Sequence, residues 1–341
     1  MSEPPARPYI GGQAVIEGVM MRSPKSFAVV CRRPSGEIVI KESAWQPLWG
    51  GLKFLRWPVL RGSVVLLESM INGFSALSFA AQQQTVSEAP QPRSLGARAA
   101  SQEGELSRAA TYGMLAISIA FGLGLFVGVP HLLAWALGSV LGFDSSTFVF
   151  HIVDGVIKVG LLIGYLAAIS LMPDIKRVFQ YHGAEHKAIA TYEAGQDLTV
   201  ENARRQSRFH PRCGTSFLII VVGVSVVLFA LLLKGQISSV PIVDNVAKII
   251  LKLPLMLPVA GLAYELLKAS GKAFDRSRIA RGLAAPGLWL QKITTREPDD
   301  AQLEVACISI RKTLWRERQG AGAPQGIEVY ASAAEVALPV S

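Results

Sequence analysis

The sequence predicts a mainly α-helical, multi-pass membrane protein with about four spans and a small N-terminal β-rich cytoplasmic unit. Three observations carry that reading. Half of the 341 residues are hydrophobic and 17% are charged, whereas about a quarter of the residues in an ordinary soluble domain carry charge. The apolar residues are gathered into runs of the ~18 or more that a helix needs to cross a bilayer. Lysine and arginine, which short cytoplasmic loops retain, are unevenly divided among the segments between those runs.

Residues 1–50 form the β-rich unit: the short runs Ser26–Cys31 and Glu37–Lys41 flank a turn at Pro34-Ser35-Gly36 and predict a hairpin. No cleavable signal sequence is evident there, so the first span is expected to direct insertion. Residues 51–81 contain an amphipathic helix, Val59–Ala81, with Arg61, Glu68 and Asn72 in its polar stripe and Trp57-Pro58 at its leading edge. That mixture suits an interfacial or re-entrant helix better than a span. Residues 82–110 are rich in Gln, Ser, Ala, Pro and charge and predict an unstructured linker.

The four-span membrane domain occupies residues 111–267. The first span, Tyr112–Val129, carries no charge; Pro130 and His131 follow, and Leu132–Leu141 can prolong it. The second, about Phe148–Leu171, is interrupted by Asp154 and Lys158, four residues apart on one helical face. The third is Thr215–Leu233. The fourth, about Ile249–Leu267, contains Lys252, Pro254 and Pro258 and ends on Tyr264-Glu265. Segments 139–148 and 235–247 contain no lysine or arginine, whereas residues 173–214 contain seven, the N-terminal arm twelve and the tail after Leu267 eleven. Both termini and the middle loop are therefore expected in the cytoplasm. The net charge of +9 finds its partner in anionic membrane lipid, and nothing resembles a nucleic-acid module. Cys31, Cys213 and Cys307 all fall on the reducing side, so no disulfide is expected. In the tail, residues 268–341, Pro298-Asp299-Asp300 opens an amphipathic helix with Leu303, Cys307, Ile310 and Leu314 on one face, and the last twenty residues read as loose.

The chemistry lies in the loop 173–214, which holds three of the five histidines: His182 and His186, with Glu185 between them, and His210 in His210-Pro-Arg-Cys213-Gly. Histidines at i and i+4 project from one helical face, the spacing two imidazoles need to reach one ion. His210-x-x-Cys213 has the spacing of a metal knuckle. Nitrogen and thiolate together suit zinc better than magnesium or calcium. His182-x-x-Glu185-His186 also matches the inverted zinc-protease pattern, in which the glutamate is the general base. A site closed by all four ligands would be structural, and one open position would make it catalytic. The competing reading is a metal-free polar cluster. Glu17, set between apolar residues, and Glu265 are further candidate ligands or bases, and a solvated turn carboxylate is the plainer role for Glu17. Asp154 and Lys158 can mark an ion path, or snorkel from near the span's end. Tyr181 and Tyr264 read as interfacial anchors.

These motifs carry a resemblance. Gly11-Gly-Gln-Ala-Val-Ile-Glu17-Gly-Val-Met-Met-Arg22, Asp174 to Lys187, His210 to Phe217, Tyr264-Glu265 and Thr294 to Asp300 are similar to the YqhQ-type family of bacterial membrane proteins, over about residues 8–318 apart from the linker. That family is of unknown function and is commonly labelled a predicted metal-dependent enzyme. The resemblance implies a bacterial inner-membrane location; Lys158 stands where it leads one to expect arginine. Two functional classes follow. In one, a metal-dependent hydrolase holds zinc with His182, His186 and one of His210 or Cys213, and uses Glu185 as base on a lipid-linked or peptide substrate. In the other, a non-enzymatic channel, transporter or scaffold uses the cluster to pin the loop. The sequence leaves a homo-oligomer open in either case.

Overall fold

The computed structural model describes residues 7–45, 57–86, 108–320 and 326–336. It is mainly helical and divides into two compact units, one of Met1–Val86, Tyr165–Val221 and Ala260–Ser341, the other of Ser87–Gly164 and Val222–Val259.

The first unit is built on a five-stranded antiparallel sheet in sequential order: β1 (Gly11–Val15), β2 (Gly18–Arg22), β3 (Ser26–Arg32), β4 (Ile38–Ala44) and β5 (Gly326–Tyr330). The expected hairpin is β3–β4, and it is extended on both sides. β5 comes from the C-terminal segment that composition alone marked as loose, and pairs with β4 from Ile38↔Tyr330 to Glu42↔Gly326. Side chains alternate across the sheet as the two-residue period requires. Val19, Met21, Val30, Ile38 and Ile40 face one core, with α5 (Pro173–Glu193) and α10 (Asp300–Gln319). Met20, Phe27, Val29, Cys31 and Val39 face another, with Ala76, Phe79 and Ala80 of α1 (Leu60–Thr85). Helix α10 starts as its sequence dictates: Asp299 caps it and exchanges hydrogen bonds with Gln302 in a capping box. Its Leu303, Cys307 and Ile310 are buried.

Helix α1 extends through Gln82–Thr85, four residues that composition assigned to the linker; residues 87–107 of that linker lie outside the described residues. While its C-terminal half packs on the sheet, Leu67, Met70, Ile71 and Phe74 are exposed. Arg61 grips Glu265 of α8 (Pro241–Ala273) with two hydrogen bonds. The unit also contains α6 (Val200–Arg204) and α9 (Arg278–Thr294).

The second unit consists of apolar helix: α2 (Arg108–Leu123), a π-helical turn (Gly124–Gly128), α3 (Val129–Leu141), and parts of α4 (Phe148–Ile169), α7 (Gly214–Leu232) and α8. The first expected span is prolonged through Pro130 to Leu141. Proline removes a helical hydrogen bond and crowds the carbonyl four residues back, and the wider π turn immediately before it accommodates both effects. Among the described residues five helices are long and apolar enough to cross a membrane: the four expected spans and α1. Exposed Ile117, Phe121, Val140, Val156, Val227 and Ile250 give the second unit an apolar exterior of the kind a bilayer covers.

Candidate metal centre

The site belongs wholly to the first unit. Helix α5 begins with Pro173 at its first turn and Asp174 at the positive end of its dipole, and ends before Gly195 at φ 74°. Tyr181, Ala184 and Ala188 bury one face of α5 in the sheet core. The adjoining face presents His182 and His186, whose ring centroids lie 4.4 Å apart.

The last donor comes from Cys213, immediately before α7. Gln291 of α9 clamps the preceding turn: its Oε1 accepts the His210 N–H at 2.8 Å and its Nε2 donates to the His210 carbonyl at 2.9 Å. The Cys213 sulfur accepts the Thr215 N–H at 3.4 Å, at a helix N-terminus where backbone donors favour an anion. His182 Nε2 and Cys213 Sγ are 3.2 Å apart, and one donor atom from each of His182, His186 and Cys213 lies within 4.8 Å of the others. Two imidazole nitrogens and a thiolate about 2.0–2.3 Å from one tetrahedral zinc sit roughly 3.3–3.6 Å from each other, so closure requires movements of up to about 1.5 Å.

The imidazoles are held in the orientation that metal ligation would need. His182 Nδ1 lies 2.8 Å from the Thr294 carbonyl and His186 Nδ1 2.5 Å from the Arg208 carbonyl. A carbonyl only accepts, so both Nδ1 atoms carry the proton and each Nε2 is turned toward Cys213, the outer-partner pattern of metal-binding histidines. Gly183 makes this possible for His182, because a Cβ there would lie 2.1 Å from the Arg296 carbonyl and push away the segment that supplies Thr294. Burial lowers the pKa of His186, which favours the neutral ring a ligand must be.

Glu185 lies beside this trio and is itself buried. Burial pushes its carboxyl up to about 7; the nearby His182 ring and a hydrogen bond from the Ala14 N–H pull it only part of the way back. Gly12 of β1 lies across it, and a Cβ there would stand 2.8 Å from Glu185 Oε1. Glu185, His182, His186, Cys213 and Gly12 all line one cavity of about 420 Å³.

The remaining predicted residues go elsewhere. His210 lines the cavity but is turned from the trio: its Nε2 pairs with Glu193 at 3.3 Å and its Nδ1 faces the Arg212 N–H at 3.4 Å. The knuckle therefore supplies one donor, Cys213, and a turn. Glu17 sits at φ 49° in the β1–β2 turn and pairs with Arg177 of α5, also accepting from Tyr181 at 3.3 Å. Tyr181 is thus a core residue rather than an interfacial anchor. Glu265 is bound to Arg61, away from the trio. Asp154 and Lys158 meet at 2.6 Å in the second unit. The sequence gives no sign of Glu193, Gln291 or Gly12 as site neighbours; only the Gly11-Gly12 pair hints at a close backbone approach.

A family model described as a protein of unknown function, DUF1385, matches residues 57–316. The uncharacterized protein YqhQ of Bacillus subtilis (strain 168) is 34% identical over 320 residues, which cover 92% of this chain and 95% of that relative. No solved structure matches the chain. With most of its length matched by that model and nearly all of it aligned to YqhQ, the chain belongs to the DUF1385 family, and the candidate centre is carried by a member of that family.

Proposed function

We propose that this chain is a bacterial inner-membrane, metal-dependent hydrolase whose zinc is held by His182, His186 and Cys213 on the cytoplasmic side. The observation that carries the reading is the donor count. Among the described residues three protein donors converge, His210 is committed to Glu193, and the trio borders a cavity rather than a closed wall. A structural zinc site is closed by four protein ligands, whereas a catalytic one keeps a position open. Zinc bound there would acidify a coordinated water and polarise a substrate carbonyl or phosphoryl oxygen.

The chain's own residues supply the rest. Thr294 and Arg208 fix the two imidazoles, and Thr215 holds the sulfur. Glu185, against the same cavity, accepts the proton of the attacking water and returns it to the leaving group. β1 walls the cavity, and the Gly12 backbone keeps water from surrounding the Glu185 carboxylate. The apolar face of α1 and the exposed Ile279, Leu283 and Trp289 of α9 suit contact with membrane lipid. This favours a lipid-linked or membrane-presented peptide substrate, and the basic segments favour a cytoplasmic site.

Glu185→Gln tests the reading. The amide keeps the shape but takes no proton, so the variant should fold and retain zinc while losing about 10²- to 10⁴-fold in rate, seen as failure to complement a deletion strain with a measurable defect. A zinc-loaded Glu185→Gln protein that complements fully would end the catalytic assignment.

A further inference from the structure

The second unit carries a buried polar network that the metal centre does not use. Asp154 Oδ2 accepts from Lys158 Nζ at 2.6 Å and Lys252 Nζ at 3.0 Å. Lys252 also donates to His131 Nδ1 at 2.8 Å, which leaves the His131 Nε2–H to donate to Asn245 Oδ1 at 3.0 Å. Asp244, Lys248 and Lys252 lie one turn apart on one face of α8, about 12 Å from first to last. Lys248 contacts Asp244 at 2.9 Å and Ser145 at 2.8 Å. None of these charges snorkels: Asp154, Lys158, Lys248 and Lys252 are all buried within the protein.

Two members of α4 break the pattern of satisfied groups. His151 is 1% exposed, yet neither ring nitrogen has a hydrogen-bond partner, and Asp154 Oδ1 has none either. They are three residues apart, hence neighbours on one helical face. Orphaned buried polar atoms are costly and rare. Two adjacent ones, a carboxylate oxygen and an imidazole, call for a species that donates to both. An anion, though drawn by Lys158 and Lys252, would have to lie against the free carboxylate oxygen, and a metal cation would have to lie beside those two lysines. A water that carries and passes a proton meets neither objection.

We propose that His151 and Asp154 form a proton-uptake site among the membrane-length helices, reached from the Ser145–Asp244 end along the lysine face of α8. The charged or titratable groups facing it are His131 from α3, Asp154 and Lys158 from α4, and Asp244, Lys248 and Lys252 from α8. Among the described residues α7 contributes no charge there, only Phe229, whose ring centre lies 5.5 Å from Lys158 Nζ and 5.3 Å from Lys252 Nζ. Buried Asp and His chains of this kind mark proton relays in membrane proteins. The inference is independent of the metal reading.

The test is ¹⁵N NMR of histidine-labelled full-length protein in lipid nanodiscs, with the His151 signal assigned from its loss in His151→Gln, or in His151→Asn should the first not fold. As pH falls, the His151 resonances should pass from the neutral to the doubly protonated pattern. Asp154→Asn should reduce the proton affinity of His151 about tenfold or more. A ring that stays neutral over the whole pH range in which the chain remains folded would overturn the proposal. So would one whose signal follows added chloride or phosphate at fixed pH rather than pH itself.

Discussion

The two buried polar clusters are built on opposite plans. At His182, His186 and Cys213 the outward-facing imidazole atoms are tied to backbone carbonyls, and the inward-facing donors are left facing one another beside a cavity. At Asp154 opposite charges saturate each other, two lysines on one carboxylate oxygen. On the proposed reading the first arrangement is completed by an ion. The second holds itself together, apart from one oxygen and one imidazole. Position alone does not distinguish ligand from ion pair; the destination of every second polar atom does.

Breaking the first cluster should have the largest effect. His182→Ala or His186→Ala removes a donor outright, so zinc affinity should fall by more than the roughly 10–100-fold that loss of an outer partner costs, and the purified variant should carry little metal. In the second cluster, Asp154→Ala leaves two buried lysines without their acceptor. Loss of one partner of a buried pair costs about 3–5 kcal/mol, to be read from unfolding in detergent, with no change in metal content. A smaller effect is expected at Gly12→Ala, whose Cβ would press on Glu185 and the Met21 sulfur. Overpacking of about 1–3 kcal/mol should accompany reduced activity with zinc retained. Smallest on the metal is His210→Ala: losing the contact with a partly exposed Glu193 should cost about 1 kcal/mol or less and leave zinc bound.

Much of this was legible in the sequence where one local signal governed. The apolar runs became helices, and the Pro298-Asp-Asp start became the cap of α10. The i,i+4 spacing put His182 and His186 on one face, because a helix fixes that geometry. What escaped depends on partners distant in the chain. β5 is weakly marked because a strand on the sheet edge needs only β4, about 290 residues earlier, to form. His210 has a ligand's spacing, but Glu193, seventeen residues away, claims its ring. Glu17 and Glu265 have candidate-like settings, and arginines from other segments take both. Asp154 and Lys158 were readable as a pair, whereas the buried Lys252 that denies them a snorkelling role comes from another helix.

The central claim is the open three-donor centre, and zinc K-edge X-ray absorption on the purified full-length protein tests it most directly. The account predicts near-stoichiometric zinc with two imidazole nitrogens, one sulfur and one light atom from outside the protein, unchanged in His210→Ala. A protein that binds no transition metal when supplied with it, or a shell of three imidazoles and one sulfur that loses an imidazole in His210→Ala, would contradict it.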